Sequence, residues 1–269
     1  MKHPYSRRLL NCMSLKLNMK NHVEDLESRA TIIEKACNEL LNSEKFKMIL
    51  SYILMIGNYL NNEGEEAKRV KIVKAFAFDS FNNLSGTKGY DKKTTLLQFL
   101  ERVINAKQPD LFQVRQELPT LEDATHESFD GIRQEVDALT KQQQDVSNEL
   151  KASKQLKQNG HAHPDIQPDL DESISRLSEF LGTVQTILGE LTTNIQKARD
   201  TYDLLVSKYC QDPKQKSEDL FSQVLTFLLQ LEACHRNEDE KRERMKERKR
   251  KEEEMAAMKR AKEENENEK

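Results

Sequence analysis

The side chains with the widest chemical range in this chain are its four cysteines and six histidines, and their spacing decides what they can do. Cys12, Cys37, Cys210 and Cys234 are scattered, with neither a pairing rhythm nor a metal-ligand spacing. They read as reduced thiols of an intracellular protein. His161 and His163 stand two apart in a polar loop with Asp165 close by; a solvated loop explains them better than a metal site does. Cys234 and His235 are neighbours on a predicted helix, where consecutive side chains diverge by about 100°, so they are poor joint ligands. A half-buried Cys beside an exposed His is the expectation there. Glu65 and Glu66 could pair for acid–base work, but in a chain with 46 acidic residues such a pair identifies nothing. No Gly-rich phosphate loop precedes a helix, and no nucleophile elbow is present. The expectation is a protein without enzymatic chemistry, metal or cofactor.

The elements that would position any site are helical. The 269 residues are 33% charged and 36% hydrophobic, lack Trp, and hold only eight Gly and six Pro, a balance that favours long helices over Gly-rich α/β loops. The net charge of −3 argues against nucleic-acid binding by the whole chain. The apolar run Met48–Ile56 is too short for membrane insertion, which needs roughly 20 apolar residues. The first residues hold no apolar stretch like a secretory signal, so a cytoplasmic location is expected.

Periodicity organises the chain into an all-α fold. Val23, Leu26, Ile32, Ile33, Ala36, Leu40 and Leu41 predict a helix over 20–42. Ser43 is a candidate cap for a second helix that is apolar on most sides and is therefore expected to be central, ending near Gly64. Residues 65–91 are irregular, with basic Lys68, Arg69, Lys71 and Lys74 followed by Phe76, Phe78 and Phe81. Asp91 is a candidate cap for a helix burying Leu96, Leu97, Phe99, Leu100, Val103 and Ile104. A long helix is predicted over 121–157, with Ile132, Val136, Leu139, Val146 and Leu150 on one seam. The clearest pattern follows: Ile174, Leu177, Leu181, Val184, Leu188, Leu191, Ile195, Ala198, Tyr202, Leu205 and Tyr209 alternate steps of three and four. The loop around Pro164 predicts that these two helices fold back antiparallel, though such a seam could also pair with another chain. Asp169 and Glu172 suit a capping box for the second. Gln211-Asp-Pro213 ends it, and Ser217 starts a last helix whose apolar face disappears after Arg236. Between Lys241 and Lys251 eight Lys or Arg face two Glu. Such a run is a solvated helical extension or a contact for an acidic surface.

Two segments carry a resemblance. Lys47-Met-Ile-Leu-Ser-Tyr-Ile-Leu-Met-Ile-Gly-Asn-Tyr-Leu-Asn61 resembles the formin homology-two signature, an apolar helix ending in Gly-Asn-x-x-Asn. Leu84-Ser-Gly-Thr-Lys-Gly-Tyr-Asp-Lys-Lys-Thr-Thr-Leu-Leu-Gln-Phe-Leu100 is similar to that family's next motif. Pro4-Tyr-Ser-Arg-Arg-Leu9 and Ala36-Cys-Asn-Glu-Leu-Leu-Asn-Ser43 also match family segments, and the later order of elements agrees.

The resemblance implies an elongated actin-assembly domain built of a helical post-like bundle and a long antiparallel coiled-coil hairpin. Residues 1–235 would form a partial domain: 1–120 the knob and post part, 121–210 the coiled-coil part, 217–235 a further post part. Residues 236–269 would be a charged helical tail. In the family, two domains close head to tail around the barbed end of an actin filament, each lasso docking tryptophans into the partner's post. The lasso, linker and first part of the knob would lie upstream of Met1, so a homodimer is expected only where a lasso is supplied. Gly57, Asn58 and Asn61 carry over as post and lasso-docking residues. Gly57 can instead serve close helix packing, and Asn58 and Asn61 can cap a helix end. The family's actin-contacting Lys falls at Ala77, and Lys71 or Lys74 stands near enough in sequence to substitute. The implied partner is actin, as monomer or barbed end, and the implied location is the cytoskeleton. The alternative is a structural coiled-coil or scaffold protein that no longer binds actin.

Overall fold

Helices carry the chain, and among the described residues no strand forms; one isolated β-bridge joins Lys88 to Thr95. The computed structural model describes the backbone of residues 6–62, 72–89, 92–158 and 167–267, with side chains described over 17–62, 72–89, 92–152, 154–155 and 174–258. The chain divides into two compact units, Met1–Asn42 with Leu118–Phe221, and Ser43–Glu117 with Ser222–Lys269.

The first unit is built on α1 (Ser6–Asn42), α5 (Leu121–Ala124), α6 (Phe129–Gln158) and α7 (Gln167–Lys208). The helix predicted over 121–157 is thus two, separated at 125–128. Phe129, at the start of α6, packs edge-on against Tyr202 near the end of α7, so this pair runs antiparallel as the loop spacing predicted. α7 packs more extensively on α1 than on α6. Asn194 donates to Glu27 at 3.3 Å and Tyr209 Oη to the Leu40 carbonyl at 2.8 Å, so α1 and α7 run parallel. The reason lies in a third seam: Met19, Val23, Leu26, Ala30, Ile33, Cys37 and Leu40 are all buried and alternate steps of four and three. Three helices that share one heptad period can meet along their seams, and α1, α6 and α7 are in mutual contact.

Charged and polar side chains fix this register. Arg29 reaches Glu127 and Glu135, each at 2.7 Å. Glu39 accepts the Thr120 N–H at 3.0 Å. At the end of α7, Cys210 takes a left-handed backbone (φ 53°), and the Gln211 N–H reaches back to the Val206 carbonyl at 2.9 Å. With the Cys210 N–H on Ser207, this closes a Schellman motif. The chain turns there before Pro213, as the Gln-Asp-Pro break implied. The α7 backbone already includes Asp169 in its first turn, while the side chains of the expected capping box lie outside the described residues.

The second unit begins with α2 (Glu44–Asn62). Ser43 Oγ accepts the Phe46 N–H at 3.0 Å and donates to Glu117 at 2.6 Å, so the predicted cap is present and itself anchored. α2 buries one stripe, Phe46, Ile49, Ile53 and Ile56, and exposes Met55, Tyr59 and Leu60. The expectation of a central helix is therefore corrected: its apolar character exceeds what its neighbours cover. The 3₁₀ turn Phe78–Ser80 and α3 (Phe81–Gly86) feed aromatics inward. Phe78 stacks on Phe81 with centroids 5.1 Å apart, and Phe81 on Phe227 at 4.2 Å. Phe227 belongs to α8 (Ser217–Asn267).

The next helix, α4 (Leu96–Lys107), is capped by Thr95, whose hydroxyl accepts the Gln98 N–H while Gln98 Oε1 accepts the Thr95 N–H. The cap expected at Asp91 thus falls to Thr95, and Asp91 lies outside the described residues. The buried face is Leu97, Leu100, Glu101 and Ile104. Phe99, expected inside, is 48% exposed, because it sits about 100° from Leu100 around the helix. A 3₁₀ stretch, Pro109–Glu117, ends the first of this unit's two segments, the second being 222–269.

Candidate functional site

In the second unit a pocket of about 220 Å³ opens beside the C-terminal half of α2. Ile53, Gly57, Asn58 and Asn61 line one wall, with Val73, Phe76, Leu84 and Leu100 opposite. The lining is mostly apolar, with Asn58, Asn61, Ser80 and Asn83 as its polar members, a composition suited to a largely apolar side chain.

Asn58 builds this wall. Its Nδ2 donates to the Val73 carbonyl at 2.9 Å and its Oδ1 accepts the Val73 N–H at 2.8 Å. A side-chain amide thereby pairs with the Val73 backbone as a strand neighbour would and ties that residue to the helix. Asn62, not Asn58, bonds the helix backbone, donating to the Asn58 carbonyl at 2.7 Å. Asn61 lies exposed at the pocket wall. A Cβ built on Gly57 would meet nothing within 4 Å, so close helix packing does not require a glycine there. In a helix interior Gly is costly, and at this position its effect is to leave the pocket open.

The basic residues divide. Lys68, Arg69 and Lys71 lie outside the described residues, as do His161, His163 and Asp165. Lys74 is exposed, one residue beyond the Asn58–Val73 clamp, and Ala77 is exposed at the entry to the 3₁₀ turn.

The run Lys241–Lys251 behaves differently from its composition. Seven of its eight cations pair with carboxylates: Lys241 with Glu238, Arg242 with Glu101 and Asp239, Arg244 with Glu240, Lys246 with Glu243, Arg248 with Glu252, Arg250 with Glu254 and Lys251 with Glu247. Five of these eight carboxylates lie outside the 241–251 window on α8, and Glu101 comes from α4. A cleft of about 560 Å³ lined by Lys93, Arg102, Lys241 and Arg242 also contains Glu238, which takes up Lys241 at 2.7 Å.

Sequence reading missed the buried acid of this unit. Glu101 is fully buried; it accepts from Arg242 Nη2 at 2.7 Å and lies 2.9 Å from His235 Nδ1. The other His235 nitrogen sits 3.2 Å from Asp239, and Phe112 stacks on the ring at 3.6 Å. His235 is therefore enclosed by charge and an aromatic face, where an exposed His was expected. Two carboxylates hold the Arg242 guanidinium firmly protonated. Burial pushes the half-buried Cys234 thiol up to about 11 and the Cys37 thiol higher still, which lowers the reactivity of both. Among the described residues no group of three or more His, Cys, Asp or Glu side chains is placed to hold a metal, and no helix is long and apolar enough to cross a membrane.

The sequence profile of the Formin Homology 2 Domain matches residues 1–232, and the all-helical fold of the described residues agrees with it. The chain belongs to that family. It is 29% identical over 224 residues to Protein diaphanous homolog 3 of Rattus norvegicus, covering 82% of this chain and 18% of that protein. It is 27% identical over 250 residues to Protein diaphanous of Drosophila melanogaster, covering 90% and 21%. Formin-like protein 16 of Arabidopsis thaliana is 25% identical over 241 residues, covering 87% and 31%. The chain thus spans less than a third of the length of each of these relatives.

Proposed function

We propose that this chain is a formin-type actin-binding module, acting without enzymatic chemistry in filament nucleation or elongation at barbed ends within the cytoplasmic actin cytoskeleton. The observation that carries the reading is family membership over residues 1–232. In this reading residues 1–235 are the family domain, with 1–120 its knob and post part, 121–210 its coiled-coil part and 217–235 a further post part; 236–269 are a charged tail. The pocket walled by Gly57, Asn58 and Asn61 receives an apolar side chain from the lasso of a second domain. The 269 residues contain no Trp to fill it, so assembly by these residues alone is weak and a homodimer requires a lasso from elsewhere. The cations Lys68, Arg69, Lys71 and Lys74 attract acidic actin, and the attraction speeds encounter and weakens with salt.

Bulk actin assembly over a range of protein concentrations, with light scattering on the same sample, tests this. Faster nucleation or slowed barbed-end growth is expected, reduced by K74E and by raised salt. No change in assembly from a folded, monomeric chain would leave the scaffold reading standing in its place.

A further inference from the structure

The last helix outruns its core. Among the described side chains Glu238 is the last buried residue of α8, and every described side chain from Glu243 to Met258 is exposed, yet the backbone stays helical to Asn267. An isolated helix is marginal in water, because a costly nucleus must be offset by something other than its own backbone bonds. Here no apolar face supplies that offset.

Two features do. Between Glu238 and Asn267 there is no Gly, no Pro and no β-branched residue, so local preference favours helix throughout. The exposed stretch is also stitched along its length. Glu240 meets Arg244, Glu247 meets Lys251, Arg248 meets Glu252 and Arg250 meets Glu254, all four residues apart, and Glu243 meets Lys246 three apart. These are the spacings at which helical neighbours touch. The pairs overlap along the stretch, so each turn is tied to the next.

A coiled coil with a second copy fits less well. Met245, Met255 and Met258 are the large apolar side chains of the stretch, and all are exposed. The seam positions between Met245 and Met255 carry Arg248 or Lys249 and Glu252, so no continuous apolar stripe joins them.

We propose that residues 243–258 are a self-supporting helix, held by its own charge pairs, that serves as a stiff spacer on the second unit. At 1.5 Å per residue it sets Met258 about 30 Å beyond Glu238. The cations of the run are therefore structural members of the helix, and the inference stands independently of actin binding.

The test is NMR on the isotope-labelled full chain. Cα shifts of residues 243–256 are expected at helical values, unchanged by dilution, with 15N relaxation reporting rigid amides on the ps–ns timescale. The combined variant E247Q/E252Q/E254Q removes charge while keeping good helix formers. It is expected to lower the helical population of 243–256 by roughly half and to leave 217–238 unchanged. Coil shifts in the unaltered chain would overturn the proposal. So would helicity that grows with protein concentration, which would place the support in a second copy. Unchanged helicity in the variant would show that the charge pairs do not carry the helix.

Discussion

Asn58 clamps Val73. One side-chain amide satisfies both backbone polar groups of a residue 15 positions away and ties Val73 to α2, where both residues line a pocket. Asn58→Ala removes both bonds. Each is worth about 1 kcal/mol net, less where water replaces it, so a loss of roughly 1 kcal/mol is expected in urea unfolding. Hydrogen exchange at the Val73 amide is the sharper readout and should accelerate; an unchanged rate would mean that the clamp does not hold in solution. Asn58→Asp keeps the acceptor for Val73 N–H but sets a carboxylate against its carbonyl, and should be the worse variant.

Gly57 lies mid-helix with open space where a Cβ would go. Gly57→Ala should therefore raise stability, by about 0.5–1 kcal/mol on helix preference alone. Gly57→Leu should fill the pocket. In the proposed function, it lowers the actin-assembly response without unfolding the chain, read by assembly rate and circular dichroism on one preparation.

Cys210 holds a left-handed backbone that suits glycine. Cys210→Gly should raise the thermal midpoint, equivalent to about 0.5–1 kcal/mol, and Cys210→Val should lower it. Equal midpoints for both variants would contradict the strain.

Glu101 has no solvent to fall back on. Glu101→Ala removes the buried acceptor of Arg242 and His235, which keep Asp239, and should cost about 1–3 kcal/mol, read from the denaturant midpoint. Glu101→Gln keeps a hydrogen-bond acceptor and should cost less.

Glu238 contributes to the acid limb of stability. The hydrogen bond from Lys241 holds its carboxyl below the ordinary 4.5, against an opposing push from burial. The unfolded chain therefore binds this proton more readily than the folded one. The stabilisation is present above the unfolded value and is lost as pH falls through the lower folded value. Denaturant midpoints measured from roughly pH 6 down to pH 3 should fall less steeply in Glu238→Gln than in the unaltered chain. Parallel curves would remove Glu238 from the account.

Much of this was legible in advance, and the omissions have physical causes. The α7 seam is legible whole because eleven positions repeat one local period. The equally regular seam of α1 is only partly legible in sequence, because Ala30 and Cys37 are small and weakly apolar and Met19 lies before the predicted start. Phe99 and Glu101 exchanged roles for a different reason. Hydrophobicity ranks Phe inside, but Arg242 approaches α4 from 141 positions away and makes burial of a carboxylate tolerable. The Gly57 and Asn58 positions were found by resemblance, whereas Val73, the residue that Asn58 holds, carries no signal of its own.

What the sequence by itself determined are the properties that repeat along one helix: the all-α class, the seam periods, the Ser43 cap and the motifs of the family. These depend on neighbours three or four residues apart, and local spacing reports them directly. Tertiary structure alone decided which seam meets which, why the apolar α2 keeps an exposed face, and that a buried acid lies under His235. Those depend on which surfaces approach from distant parts of the chain, and each is settled by the balance of burial and desolvation over the packed unit rather than by any one segment.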